Sequence, residues 1–244
     1  MRKKLIDQHA VYGLWVTLES ASISEIAVYC GLDWIIIDAE HGHMDWQAIL
    51  EHIRATVRSN TVVLVRISNI DKGIIKRVLD IGADGIVVPN IESADQWEKA
   101  LQYARYPPAG IRGIGAERAT KWGSAFSQHV KDANENLMVI PIIESIKGGE
   151  NIDEIIAVDG TDIVFFGPAD YSASAGYAGE WEGKGVADDI EKLKTKIITS
   201  GKHCGITARS KEDLQQRCKQ GFKMLSIGAD AGLLLKTIMS FKES

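Results

Sequence analysis

The chain carries eight short apolar runs whose hydrophobic positions mostly follow one another without alternation. They are GLWVTLE (13–19), DWIIIDAE (33–40), TVVLVRI (61–67), ADGIVVPN (83–90), LMVIPIIES (137–145), TDIVFFGPAD (161–170), HCGITAR (203–209) and FKMLSIGAD (222–230). Such Val- and Ile-rich runs predict strands buried on both faces, as in a parallel sheet covered by helices. Between several of them the apolar spacing becomes helical, as in ISEIAVYCG (23–31), WQAILEHIRATVR (46–58), KGIIKRVLDIG (72–82) and ADQWEKALQYARY (94–106). Gly31 and Gly82 fall where a C-terminal glycine would end a helix before the next strand. Eight strands mostly alternating with helices predict an α/β fold, a (β/α)8 barrel forming one domain over 1–244. A doubly wound open sheet is the structural rival. No GxGxxG follows the first strand, which weakens a dinucleotide-binding reading. The segment 106–130, YPPAGIRGIGAERATKWGSAFSQHV, is unusually long for a connection. Its Pro107-Pro108 pair and glycines read as a structured loop and a candidate wall of the active site.

Composition narrows the function classes. Apolar residues make up 45% of the 244 positions and charged ones 25%, as in an ordinary soluble protein. No apolar run reaches the ~18 residues of a membrane span. The start, MRKKLIDQHAVYG, lacks the apolar stretch and cleavage site of a signal peptide. A net charge of −5 without a basic stripe argues against nucleic acid as the partner. Cys30, Cys204 and Cys218 are widely spaced and form no CxxC pair, so they read as reduced thiols of a cytoplasmic protein.

In a barrel the C-terminal strand ends face the active site. Read in order, those ends carry Trp15 and Glu19, then Asp38, Glu40 and His41, then Arg66, Pro89-Asn90, Glu144, Asp170 and Arg209. Taken singly, Glu144 and Asp170 could be helix-capping carboxylates, and Arg66 a structural ion-pair partner. Taken together, two hard oxygen donors on adjacent strand ends suit Mg2+ or Mn2+. His41 and His43 form an HxH that could bind zinc, a weak reading without a third His or Cys nearby. A Schiff-base lysine would have to lie near a strand end. Lys202 and Lys223 lie near strand starts, and Lys147 is a poor candidate just past Glu144, so metal-based carbonyl chemistry is favoured over an imine.

Over nearly its whole length the sequence resembles the HpcH/HpaI aldolase family, the metal-dependent pyruvate aldolases. The likeness rests on GLWVTLESASISEIAVYCGLDWIIIDAEH (13–41), IKRVLDIGADGIVVP (75–89), RYPPAGIRGIGAERATKWG (105–123), ESIKGGENIDEI (144–155) and FFGPADYSASAGY (165–177). The resemblance implies a modified (β/α)8 TIM barrel, usually a homohexamer built as a trimer of dimers, with a C-terminal helix exchanged between subunits. It implies a divalent ion (Mg2+, Mn2+ or Co2+) held by Glu144 and Asp170, with His41 as the catalytic histidine. Arg66 would contact the keto oxygen, and the backbone amides of Ala169 and Asp170 the pyruvate carboxylate. Asp38 would support the water network around the ion, with Glu40 behind it. Asp80 would reach His41 from an adjacent subunit, and Trp15 would line the pocket.

Three positions depart from the family pattern. Ile142 stands where glutamine is common, Ala39 where glycine is common, and His43 replaces a more usual loop residue. The expected reaction is reversible cleavage of a 4-hydroxy-2-oxo acid to pyruvate and an aldehyde. Oxaloacetate decarboxylation, phosphoenolpyruvate-type chemistry, or non-catalytic binding of a 2-oxo acid are the alternatives. Aldehyde preference is expected to reside in loops 112–122 and 177–181 and in the C-terminal LLLKTIMSF (233–241).

Overall fold

The eight apolar runs form eight parallel strands that close on themselves in chain order. In the computed structural model, which describes residues 1–242, the strands are β1 (Val11–Val16), β2 (Trp34–Asp38), β3 (Val62–Arg66), β4 (Gly85–Val88), β5 (Met138–Ile143), β6 (Ile163–Phe166), β7 (His203–Thr207) and β8 (Met224–Ala229). Around them lie α1 (Arg2–Ile6), α2 (Ser22–Tyr29), α3 (Trp46–Thr56), α4 (Lys72–Asp80), α5 (Ala94–Ala104), α6 (Phe126–Asn136), α7 (Ile146–Glu150), α8 (Ile152–Ala157), α9 (Pro168–Ser174), α10 (Val186–Thr199), α11 (Lys211–Lys219) and α12 (Asp230–Lys242). The barrel expectation holds, and the open-sheet rival fails because β1 pairs with both β2 and β8.

Two-sided burial explains the unbroken apolar runs. In β2, Ile35 and Ile37 pack outward among the helices with Val63, Val65 and Val88. Trp34 and Ile36 pack inside the barrel with Leu64, Val87, Ile140 and Phe165. Side chains alternate along a strand, so inward parity continues past Ile36 to Asp38, past Leu64 to Arg66, and past Ile142 to Glu144. The strands therefore carry these charges to the C-terminal mouth of the barrel. Lower down, the interior is filled by pairing small with large. A Cβ on Gly13 would lie 2.0 Å from the Trp34 ring.

Helix boundaries follow local chemistry. Asp45, Asp71, Ser93 and Ser210 each cap the N-terminus of the following helix with a side-chain oxygen. Gly31 and Gly82 take φ of +72° and +102° at helix C-termini, as expected. Short, charged α1 carries no clear helical signal in sequence. Its Leu5 joins the interior cluster with Val11, Met138 and Ile163 and closes the N-terminal end of the barrel.

One expectation is overturned within the chain. The segment 106–130 does not line the cavity at the C-terminal mouth. It connects α5 to α6 and β5, so it runs at the opposite end of the barrel. There Arg112 Nη2 donates to Asp80 at 2.7 Å, and Arg118 Nη1 donates to the Ile81 carbonyl at 3.1 Å. A connection from a helix into the next strand arrives on the N-terminal side of a barrel, away from the face where strand ends converge.

At the other end of the chain, buried Asp230 opens α12 and ties it to the barrel. Its carboxylate accepts from Thr17 N (2.9 Å), Thr17 Oγ1 (2.7 Å) and Leu18 N (3.0 Å). Beyond it, Leu234, Leu235, Ile238 and Phe241 are exposed. Among the described residues, no helix is long and apolar enough to cross a membrane.

Candidate active site

A cavity of about 210 Å3 opens at the C-terminal mouth of the barrel, and Trp15, Asp38, Arg66, Glu144, Ala169 and Asp170 all line it. These residues come from four strand ends and the start of α9, far apart in sequence.

Asp38 and Arg66 are direct neighbours in the β2–β3 register. Arg66 Nε donates to Asp38 Oδ1 at 2.9 Å and Nη2 to Oδ2 at 2.6 Å, a bidentate pair. Its Nη1 lies 3.0 Å from Glu40 Oε2. Asp38 Oδ1 also accepts from the backbone N–H groups of Glu40 (3.1 Å) and His41 (3.2 Å). Burial opposes charge on Asp38, but Arg66 and the two N–H groups outweigh it and hold the carboxyl below its ordinary range. Burial likewise opposes charge on Arg66, but its carboxylate partners raise its pKa further. Glu40 moves the other way, raised chiefly by burial.

Trp15 forms the wall beside this pair. The Arg66 guanidinium lies 4.7 Å from its ring centroid. Its indole N–H donates to Thr207 Oγ1 at 3.1 Å, and its ring meets Phe165 edge to face. These contacts fix the tryptophan in one orientation.

Glu144 is buried, at 5% exposure. Its Oε1 accepts from the backbone N–H of Asn90 at 2.7 Å, so the strand-four end Pro89-Asn90 pins it. Burial, with the nearby charges of Glu40 and Asp170, pushes its carboxyl up to about 7. Gly167 makes room for the other oxygen, since a Cβ there would sit 2.6 Å from Glu144 Oε2. The chain then turns into α9 with Pro168 at its first position. Asp170 lies exposed in the first turn of α9, on the rim of the same cavity.

The remaining sequence candidates fall elsewhere. His41 is exposed and does not line the cavity within the chain, although its backbone is tied to Asp38. Asp80 ends α4 at the opposite end of the barrel and pairs with Arg112. Glu19 is exposed, outside the cavity. Arg209 pairs with Glu182 at 3.1 Å. Lys147 pairs with Glu92 at the surface, 3.1 Å away. Thr207, absent from the strand-end candidates, lines the cavity two residues before Arg209. As the last inward position of β7, it was accessible to the parity rule. Phe165 and Ala229 also line the site, with nothing in their chemistry to single them out.

Comparison with known proteins places this geometry in a family. Residues 11–237 match the family model described as HpcH/HpaI aldolase/citrate lyase. The chain is 34% identical over 239 residues to a hydroxypyruvate/pyruvate aldolase of Pseudomonas aeruginosa, covering 97% of this chain and 89% of the relative. It is 36% identical over 220 residues to a 4-hydroxy-2-oxovalerate aldolase of Novosphingobium aromaticivorans, covering 90% and 84%. A solved structure of an HpcH/HpaI aldolase/citrate lyase family protein from Burkholderia cenocepacia J2315 superposes with a TM-score of 0.94 at 30% identity, over 99% of this chain and 97% of that one. With a matching model over almost its full length, the same barrel and relatives above 30% identity, the chain belongs to the HpcH/HpaI aldolase/citrate lyase family.

Proposed function

We propose that the protein is a divalent-metal-dependent aldolase that reversibly cleaves a 4-hydroxy-2-oxo acid into pyruvate and an aldehyde. The family is one of aldolases and lyases, and the chain is an enzyme of that class. The observation carrying the reading is that Glu144, Asp170 and Arg66 meet at one small cavity.

The donor set fits a hard cation. Glu144 is a buried carboxylate with one oxygen held by Asn90 and the other lodged against Gly167, and Asp170 is close enough to raise its pKa. A buried carboxylate with a second carboxylate close by is costly unless protonated or offset by positive charge. Among the described residues no three His, Cys, Asp or Glu side chains form a ligand cluster. Two carboxylates completed by water or substrate oxygens are the usual provision for Mg2+. Glu144 and Asp170 would hold the ion, and Mn2+ or Co2+ would also suit them. When bound, it would supply Lewis-acid polarisation of the substrate carbonyl.

Cleavage removes the proton of the C4 hydroxyl and breaks the C3–C4 bond. The electron pair passes to C3 and on toward the C2 oxygen, and C4 leaves as the aldehyde. C3 then takes a proton to become the methyl group of pyruvate. Arg66, held rigidly by Asp38 and Glu40, places fixed positive charge beside the oxygen that gains it. The first-turn N–H groups of Ala169 and Asp170 lack intrahelical acceptors and are suited to the substrate carboxylate. His41, whose backbone N–H is tied to Asp38 beside the cavity, would be the general base that accepts the hydroxyl proton. Asp80 of an adjacent subunit would fix its tautomer. That arrangement requires a homo-oligomer, which we infer to be a hexamer with α12 exchanged between neighbours. The exposed Leu234, Leu235, Ile238 and Phe241 support it, and light scattering in solution tests it.

Deuterium exchange tests the chemistry. The metal-loaded protein with pyruvate in D2O is expected to exchange the methyl protons, because the reverse reaction begins by forming the enolate. Absence of exchange with every divalent ion tried ends the proposal.

A further inference from the structure

We propose that Trp181 is the specificity-determining wall for the aldehyde half of the substrate, positioned by a clasp in which Arg209 and Arg217 hold Glu182. The inference rests on the aldolase reading above.

The loop 175–185 joins α9 to α10 at the C-terminal end of the barrel, and Trp181 lines the same cavity as Glu144 and Arg66. The loop is stitched down. The N–H of Gly179 donates to the buried Ser172 hydroxyl at 3.0 Å, which donates to the Ala169 carbonyl at 2.6 Å. Thus the loop holding Trp181 is fixed to the turn of helix that carries Asp170. Two tight turns, Glu180 N–H to the Tyr177 carbonyl (2.8 Å) and Gly183 N–H to the Glu180 carbonyl (2.7 Å), present the indole between them.

A second set of contacts approaches from β7 and α11. Arg209 Nη2 lies 3.1 Å from Glu182 Oε1, and Arg217 Nη2 donates to the same oxygen. Asp213 accepts from the Arg209 backbone N–H and from Arg217 Nε, both at 2.9 Å. The Arg209 guanidinium lies 5.4 Å from the Trp181 ring centroid. The ring is thus a cavity wall backed by a cation, and that cation is anchored by the residue next to it. Arg217 is nearly buried, so its arm of the clasp is firmer than the half-exposed Arg209–Glu182 pair.

The wall defines an aldehyde class. Away from the carboxylates the cavity is apolar, with Trp15, Ile142, Phe165 and Trp181. Ile142 offers no hydrogen-bonding side chain to this part of the cavity. Arg66, the guanidinium that lines the cavity, is already engaged with Asp38 and Glu40, and Arg209 against Trp181 is engaged with Glu182. A second substrate carboxylate would have to compete for them. The volume of about 210 Å3 lies below the ~300–1,000 Å3 of clefts for drug-sized ligands. The favoured partner is therefore a short, uncharged aldehyde.

The test is an aldehyde series run with pyruvate and the metal-loaded oligomer: acetaldehyde, propanal, butanal, hexanal and succinic semialdehyde. Pyruvate activation is common to all, so ratios of kcat/KM isolate the wall. The wild type is expected to favour acetaldehyde and propanal over both hexanal and the charged semialdehyde. Trp181→Ala is expected to raise the hexanal-to-acetaldehyde ratio by roughly tenfold or more, since one methylene against a pocket wall is worth about 10–200-fold. Glu182→Gln, which keeps the ring but weakens its anchor, is expected to shift the ratio the same way by a smaller factor. If Trp181→Ala does not fold, Glu182→Gln alone decides. Ratios unchanged in the folded variants, or a wild type that prefers the semialdehyde, overturn the inference while methyl exchange in pyruvate leaves the aldolase reading intact. Absence of exchange in the wild type overturns both.

Discussion

Arg66 grips Asp38 through two parallel hydrogen bonds, 2.9 and 2.6 Å long, between neighbouring strand ends. A third nitrogen reaches Glu40, so the guanidinium is immobilised before any substrate arrives. Preorganised charge of this kind commonly contributes ~3–4 kcal/mol per group removed. Arg66→Ala is therefore expected to lose about 10²–10³-fold in kcat with the barrel intact. Arg66→Lys is expected to recover little, because an ammonium cannot reproduce the fork. Asp38→Ala and Arg66→Ala each leave a nearly buried charge without its main partner, so each is also expected to cost ~3–5 kcal/mol in urea unfolding. Wild-type kcat in Arg66→Ala would falsify the catalytic role of the pair.

The carboxylates make a separate prediction. Glu144→Ala and Asp170→Ala are each expected to abolish pyruvate methyl exchange, as is chelation of the wild type, with Mg2+ or Mn2+ restoring the latter. A binding readout keeps this independent of turnover. Ligands that bind only the native state raise Tm with concentration, so Mn2+ should raise the wild-type Tm and leave that of Glu144→Ala unmoved. Equal shifts in the two proteins, or full exchange in the chelated wild type, remove these residues from the metal site.

Sequence alone carried much of this architecture. The Ile35–Ile37 and Val62–Val65 runs are apolar at every position because a barrel strand is buried on both sides, and that signal is local. The ends of those strands were equally readable, since Asp38, Arg66 and Glu144 break the runs abruptly. What sequence could not supply was register and reach. Nothing local says that Asp38 lies opposite Arg66, that Asn90 donates to Glu144 across 54 positions, or that Trp181 rests against Arg209. Within its own chain the long segment 106–130 lies at the far end of the barrel, because it joins a helix to a strand, and its length alone does not reveal that. Thr207 is less conspicuous than Arg209 two residues later, because a hydroxyl at a strand end is common and carries no charge.

Gly167 offers a test of how tightly Glu144 is seated. Its φ of −101° is open to any residue, so alanine meets no backbone penalty there. The obstacle is Glu144 itself, with Oε2 at 2.6 Å and Cβ at 2.8 Å from the added methyl. The Asn90 hydrogen bond prevents the carboxylate from simply turning away. Gly167→Ala is expected to cost about 1–3 kcal/mol, the usual range for overpacking, and to lower methyl exchange by more than tenfold. Gly113→Ala, whose new methyl would have nothing nearer than 3.6 Å, serves as the control and should match the wild type. Equal activity in the two variants would mean that the Glu144 position is not set by Gly167.

Stability against acid depends on the histidine behind the loop that brings Thr17 to the cavity. His52 is fully buried on α3. Its Nε2 lies 3.1 Å from the Leu18 carbonyl, which can only accept, so Nε2 carries the proton and Nδ1 accepts from the Ser24 hydroxyl at 2.7 Å. The imidazole is thus satisfied while neutral. It pins Leu18 from one side while Asp230 holds Leu18 N from the other. Burial lowers its pKa below the ordinary 6.5, outweighing the Leu18 carbonyl and the Asp230 charge. The unfolded chain therefore binds the proton more readily. The stabilisation from this group is complete above pH 6.5 and is lost as pH falls through the lowered native value. His52→Gln cannot titrate and should lose ~1–3 kcal/mol at pH 8 from disrupted buried hydrogen bonds. The gap between wild type and variant in urea unfolding should then narrow at pH 5.5. A gap that widens on acidification would show that the native imidazole is charged, with Nδ1 donating to the Ser24 hydroxyl, and a constant gap would show that folding does not lower its pKa.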